Sequence, residues 1–89
     1  QFLKNLDKEI GMLSAKISEK FIKEFKEANL RVEFEKWTEK FKVVGVEVMS
    51  IIENEVYWNI TFEYQEEPYA HFTLYIEGNK INDDLSIDT

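Results

Sequence analysis

The sequence predicts a small α+β protein with a long N-terminal helix, a short second helix or edge strand, and a three- to four-stranded antiparallel meander packed on the helix. Two observations support this prediction. Apolar residues recur at spacings of three and four in the first third of the chain, and from Lys42 onward they alternate with polar residues. No stretch rich in Pro, Gly or Ser interrupts the 89 residues, so we expect a single domain over residues 1–89.

The first helix is predicted for about residues 2–28. Its apolar stripe comprises Leu3, Leu6, Ile10, Leu13, Ile17, Phe21, Phe25 and Ala28. This spacing gathers the side chains on one face of a helix and leaves charged residues on the other. The next residue, Asn29, tolerates the left-handed backbone conformation in which helices often end, so we expect the helix to stop there.

A second apolar stripe follows at helical spacing: Leu30, Phe34, Trp37 and Phe41. At 100° per residue it points almost opposite to the first stripe, so one straight helix cannot bury both. We therefore expect the chain to resume as a short helix over about residues 31–41. Leu30, Val32 and Phe34 also alternate, which keeps an edge strand as the alternative.

Three strands are predicted from residues of common parity. They are Val44, Val46, Val48, Ser50 and Ile52, then Val56, Trp58, Ile60, Phe62 and Tyr64, then Ala70, Phe72, Leu74 and Ile76. A three-residue loop at 53–55 would pair Ile52 with Val56 and Ser50 with Trp58 on the inner face. We expect the next turn at residues 65–68.

Gly78 and Asn79 predict a two-residue hairpin turn and a short fourth strand around Ile81. We expect residues 83–89 to form a loose acidic tail unless Leu85 and Ile87 dock.

The order of one helix and then antiparallel strands is similar to that of cystatin-like, cone-shaped sheets. That resemblance implies an alternative function as a small-ligand-binding or modest enzymatic domain, with a pocket between helix and sheet.

Charge is unevenly distributed along the chain. The 18 acidic and 11 basic residues give a net charge of −7. After Lys42 there are ten acidic residues and only one basic residue, Lys80. Because nucleic-acid binding depends on Lys and Arg displacing counterions, we expect no direct binding of DNA or RNA. An acidic surface instead favours a partner protein with a basic surface.

Catalytic and metal-binding patterns are absent from the sequence. It has no cysteine and one histidine, His71, which would face Glu63 across a five-residue loop or Thr61 across a three-residue loop. Glu66 and Glu67 fall in a predicted turn, where we expect them to be solvated. We therefore expect no enzyme, no cofactor and no metal site. The lack of thiols slightly favours the cytoplasm, and no apolar run is long enough to span a membrane.

The outer face of the predicted sheet carries the candidate site. Alternation places there Val43, Glu47, Met49, Ile51, Tyr57, Glu63, Tyr69, His71, Thr73, Tyr75 and Glu77. Tyrosine and methionine are common in protein interfaces, although Trp37 and Phe41 could instead fold over this face and cover it. The candidate partner-binding residues are Tyr57, Glu63, Tyr69, His71, Tyr75 and Glu77.

The leading hypothesis is a non-enzymatic protein-binding module, such as a small acidic inhibitor of the immunity type or a phage-type antagonist. A ligand pocket would be lined by Phe21, Phe25, Trp58, Phe62, Tyr64 and Phe72, which we expect instead to form a filled core. A self-associating structural domain, that is a homo-oligomer, is the second alternative.

Overall fold

The computed structural model describes residues 5–88 and has one long helix followed by a four-stranded antiparallel sheet, which confirms the predicted α+β class. The elements are α1 (Leu6–Glu27), a 3-10 turn (Trp37–Glu39), β1 (Phe41–Ile52), β2 (Glu55–Tyr64), β3 (Glu67–Glu77) and β4 (Lys80–Asp88). They divide into two compact units, a helical unit that ends at Glu39 and a sheet unit that begins at Lys40. A single folded domain over the whole chain stays a prediction.

Helix α1 follows the predicted stripe. Its buried apolar residues are Leu13, Ile17, Phe21 and Phe25. The predicted start at residues 2–4 lies outside the described residues, and Ala28, at the end of the stripe, is exposed. Asn29 has a φ of 59°, and the Leu30 and Asn29 N–H groups donate to the Phe25 and Lys26 carbonyls at 2.8 and 3.1 Å. This is a Schellman motif with Asn29 as its left-handed residue, and it confirms the predicted break of the helix near Asn29.

Residues 31–40 form neither the predicted short helix nor the alternative edge strand, because contacts of Phe34 and Trp37 with α1 hold the segment in another conformation, and Phe41 is already the first residue of β1. Only Trp37–Glu39 is helical, as one 3-10 turn. The Trp37 backbone N–H, which a helix would pair locally, donates to Ser18 Oγ at 3.0 Å. Its indole N–H donates to Ser14 Oγ, also at 3.0 Å. The Phe34 ring meets Phe25 edge-on at 5.4 Å.

The sheet has the strand order β1-β2-β3-β4, so β1 and β4 are its edge strands. One face of the sheet is buried. Its buried side chains are Phe41, Trp58, Ile60, Phe62, Ala70, Phe72, Leu74 and Ile76. Those on β2 and β3 have the predicted parity. On β1, Phe41 meets Phe62 and Phe72 edge-on at centroid distances of 6.5 and 5.5 Å.

The predicted register of β1 is wrong. The β1–β2 turn contains two residues, Glu53 and Asn54, so Ile52 pairs with Glu55 rather than Val56. Val44 and Met49 are extra residues at two register shifts, and each shift moves the following side chains to the other face. Consequently Val43 and Ile51, predicted on the outer face, pair with Phe62 and Val56. Ser50 pairs with Tyr57 instead of Trp58.

The β3–β4 hairpin includes residues that were predicted to form a loose tail. Glu77 pairs with Lys80 across Gly78 and Asn79, and Gly78 has a φ of 63°, which confirms the predicted two-residue turn. Beyond it, β4 extends to Asp88, and Leu85 and Ile87 pair with Leu74 and Phe72. The condition stated for the absence of a loose tail was that Leu85 and Ile87 dock. Both residues lie in a strand that is paired with β3.

Candidate protein-binding surface

The outer face of the sheet is formed mainly by alternate residues of β2 and β3. Four cross-strand pairs lie along it: Tyr57 with Glu77, Asn59 with Tyr75, Thr61 with Thr73, and Glu63 with His71. Paired residues of an antiparallel sheet share a face, so all eight side chains point to the same side. From Tyr57 to Glu63 the row spans about 20 Å, at about 3.4 Å per residue.

The middle of the outer face is polar and internally bonded. The Thr61 and Thr73 hydroxyls are 3.1 Å apart, and Asn59 Nδ2 donates to Glu47 Oε1 at 3.3 Å. These bonds satisfy the groups at the centre of the face. They leave its two ends as the places where unpaired side chains are available for binding.

At one end, Tyr57, Tyr75 and Glu77 line a groove of about 250 Å³. Met49, Ser50 and Asn82 also contribute to its lining. The Tyr75 hydroxyl lies 3.0 Å from Ser86 Oγ. Within residues 5–88, neither the Tyr57 hydroxyl nor the Glu77 carboxylate forms a hydrogen bond or an ion pair. Three of the six predicted residues thus form one concave site with free polar groups.

At the other end, His71 faces Glu63 and, on β4, Asp88. The register is the one expected for a five-residue loop between β2 and β3. Glu63 also faces Lys42 on β1, so a basic residue already lies near its charge. No hydrogen bond or ion pair joins the half-buried His71 to a described residue. The pair lacks the contact that an acid–base couple would require.

Tyr69 does not join the other predicted residues. The β2–β3 register runs from Glu63 with His71 directly to Tyr64 with Glu67, and residues 68–70 are skipped. The Tyr69 side chain is 79% exposed. Tyr69 is therefore an exposed residue that lies outside the groove.

The alternative in which Phe41 covers the outer face is wrong. Phe41 pairs with Tyr64 and stacks on its ring at 5.0 Å, on the side of the sheet that carries Phe62. Trp37, the other residue considered for this role, donates its two N–H groups to serines of α1.

The acidic excess belongs wholly to the sheet unit. Residues 1–39 contain eight basic and eight acidic residues, whereas residues 40–89 contain three basic and ten acidic residues, a net charge of −7. The two lysines on the outer face, Lys42 and Lys80, face Glu63 and Glu77 across the strands. Glu47, Glu55 and Asp88 add further negative charge along the same face.

Glu66 is an exposed turn residue, as predicted, and two side-chain contacts hold its carboxylate. Lys40 Nζ lies 2.9 Å from its Oε1, and the Tyr64 hydroxyl donates to its Oε2 at 2.7 Å. These contacts, the tyrosine bond first, lower the pKa of the Glu66 carboxyl from its ordinary value. The Gln65 N–H also donates to the Lys40 carbonyl at 2.8 Å, which ties this turn to the start of β1.

Exposed apolar side chains are concentrated on β1; of these, alternation had placed only Met49 and Ile51 on the outer face. Val44, Val48, Met49, Ile51 and Ile52 are between 36 and 66% exposed. Alternation of this kind is typical of a half-buried strand. β1, however, is an edge strand with a neighbouring strand on one side, and its last residues lie next to the β1–β2 turn. Val48 and Ile51 pair with Trp58 and Val56 and so lie on the side of the sheet that is buried in β2; their exposure, and not the face they occupy, distinguishes this apolar edge.

Comparisons with protein-family models, curated proteins and solved structures found no match. In the part of the chain that the structure describes, no helix is long and apolar enough to cross a membrane. Among the same residues, no three metal-ligating side chains of His, Asp or Glu come together.

Proposed function

We propose that this chain is a non-enzymatic protein-binding module that engages a basic partner protein through the outer face of its sheet. The observation that supports this best is the groove, where two tyrosines and the free Glu77 carboxylate meet on a unit with a net charge of −7. Tyrosines provide contact area while their hydroxyls bond to a partner. Surrounding acidic residues attract a basic protein and speed its encounter with the groove.

A small acidic inhibitor or antagonist that blocks a basic site is the form of this function that fits the size and charge. Such proteins place aromatic anchors at the centre of the interface and charges at its rim. In this chain Tyr57 and Tyr75 are the anchors, Glu77 is the carboxylate beside them, and Glu63 and His71 are polar groups at the other end of the same face. Tyr69 lies outside the groove and is not one of the proposed anchors.

Affinity capture with matched variants tests the proposal. The wild-type chain, the Tyr57→Ala/Tyr75→Ala double variant and a Tyr69→Ala control are immobilised and exposed to lysate of the native host. Circular dichroism first shows that all three are folded. We expect one basic protein to bind the wild type and the control at low salt and to be lost from the double variant.

Salt provides a second criterion for the same experiment. Because charge steers the encounter, capture should weaken between low and moderate ionic strength. Equal capture by the folded double variant would remove the groove from the proposal. Capture that does not depend on salt would contradict the basic partner.

A second candidate, self-association, is favoured by the exposed apolar side chains of edge strand β1. An apolar edge with free backbone groups can pair with the same edge of another copy. Sedimentation equilibrium should then give a mass that rises with concentration, and Ile51→Lys should restore the 10.6 kDa monomer. A monomer at every concentration would contradict this candidate.

A further inference from the structure

We propose that the groove receives an arginine side chain of the partner, inserted between the Tyr57 and Tyr75 rings with its guanidinium against the Glu77 carboxylate. This inference rests on the proposed function and specifies the chemistry of the residue that is bound. It has three structural supports: the spacing of the two tyrosine positions, the free acceptors at the groove, and the bonds that fix the neighbouring backbone.

The register sets the spacing of the two tyrosine positions. Tyr57 pairs with Glu77 and Tyr75 pairs with Asn59, so the two tyrosines are diagonal neighbours on adjacent strands. Diagonal neighbours lie about 7–8 Å apart. Two van der Waals contacts of about 3.5 Å each add up to nearly the same distance, so side chains that extend in parallel from these two positions would leave room for one planar group between them. Within residues 5–88 neither ring contacts another aromatic ring.

The acceptors select a cation. Glu77 lies directly opposite Tyr57, and its carboxylate has no hydrogen-bond or ion-pair partner among the described residues, although Lys80 faces it across the β3–β4 turn. A guanidinium is flat, stacks on aromatic faces and presents paired N–H donors to a carboxylate. An ammonium group is compact and cannot fill a slot between two rings in the same way. The geometry therefore favours arginine over lysine.

The backbone around Glu77 is well anchored. The Gly78 N–H donates to the Val56 carbonyl at 2.7 Å, and the Trp58 indole N–H donates to the Gly78 carbonyl at 3.0 Å. The bond between Tyr75 and Ser86 fixes the hydroxyl end of one ring. A site whose parts are already in place loses less conformational entropy when a ligand binds.

A nuclear magnetic resonance titration tests the inference. The ¹⁵N-labelled chain is titrated with the capped tripeptide Gly-Arg-Gly, and in parallel with the corresponding lysine and citrulline peptides. We expect amide shifts confined to residues around the groove, tightest binding of the arginine peptide, and no saturable shift with citrulline, which has the same shape without the charge.

Variants distinguish the slot from general attraction to an acidic surface. Glu77→Gln and Tyr75→Leu should each weaken the arginine peptide about two- to fivefold, while Tyr75→Phe keeps the ring and should bind nearly as well as wild type. Tyr69→Leu, the matched tyrosine control, should have no effect. Equal binding of the lysine peptide, or shifts spread over the whole sheet unit, would overturn the inference.

The outcomes separate this inference from the proposed function. If the arginine peptide fails to bind while partner capture still requires Tyr57 and Tyr75, the face is an interface but the slot is not an arginine site. If the peptide binds the groove and capture from lysate is unaffected by the double variant, the arginine site stands and the proposed partner interface falls.

Discussion

The β1–β2 turn offers a direct test of the sheet register, on which the composition of the outer face depends. Glu53 and Asn54 have φ values of 51 and 68°. Positive φ at both central residues is the signature of a type I′ turn, for which Asn-Gly is the preferred sequence. The double change Glu53→Asn/Asn54→Gly should therefore stabilise the protein.

The magnitude follows from the backbone at the two positions. A non-glycine residue in the left-handed region costs about 1–2 kcal/mol, and less for asparagine. Glu53→Asn should recover about half of that cost. Asn54→Gly recovers the remaining strain at its position, less the roughly 0.5–1 kcal/mol that glycine loses through its freedom in the unfolded chain. We expect a net gain of about 1 kcal/mol, or about 4–8 °C in Tm for a domain of this size.

Thermal and urea unfolding followed by circular dichroism measure this change. Glu53→Gln is the control, because it removes the same negative charge without favouring positive φ, and its stability should stay near that of wild type. Glu53→Val should lose at least about 1 kcal/mol, since a β-branched side chain fits the left-handed region poorly. If the Asn-Gly variant gained nothing and Glu53→Val cost nothing, the two-residue turn and the β1 register would be wrong.

Three further changes test other contacts. Ser18→Ala should cost about 1–3 kcal/mol in urea unfolding, because it leaves the buried Trp37 N–H without its acceptor; a loss below 0.5 kcal/mol, about the smallest effect expected of a hydrogen bond, would argue against this bond. Because its pKa is lowered in the folded state, the Glu66 carboxylate stabilises the protein at neutral pH, and that contribution is lost as pH falls through the lowered value. Glu66→Gln should thus be less stable than wild type at pH 7 and equal to it in acid, and a difference independent of pH would contradict the assignment. Asn29→Gly should keep or raise Tm whereas Asn29→Val should lower it, and equal effects would argue against the left-handed helix end.

Periodicity predicted the main elements because each buries one face. The apolar stripe of α1 and the alternation in β2 and β3 are direct consequences of burial. Both elements could therefore be predicted from the sequence, and the structure confirms them. Residues 31–41 could not be predicted in this way. Their conformation depends on bonds from Trp37 to Ser14 and Ser18, which lie 23 and 19 residues away.

The site was predicted in part, for a related reason. Between Tyr57 and Glu63, β2 is regular, so simple parity placed its outward side chains correctly. The bulges of β1 and the skipped residues 68–70 interrupt that parity, which is why Val43 and Ile51 were misplaced and Tyr69 stands apart. The two-residue β1–β2 turn was also missed, because its residues, Glu53 and Asn54, are not the Asn-Gly pair that marks such a turn in a sequence.

The most direct test of the central proposal is to map the partner on the labelled chain by amide chemical shifts. The captured basic protein is added to the ¹⁵N-labelled chain, and the perturbed amides are assigned. We expect the largest changes along the outward residues of β2 and β3 near Tyr57, Tyr75 and Glu77, decreasing at higher salt. Changes confined to α1 residues 6–27, with the outer face unperturbed, would contradict the account.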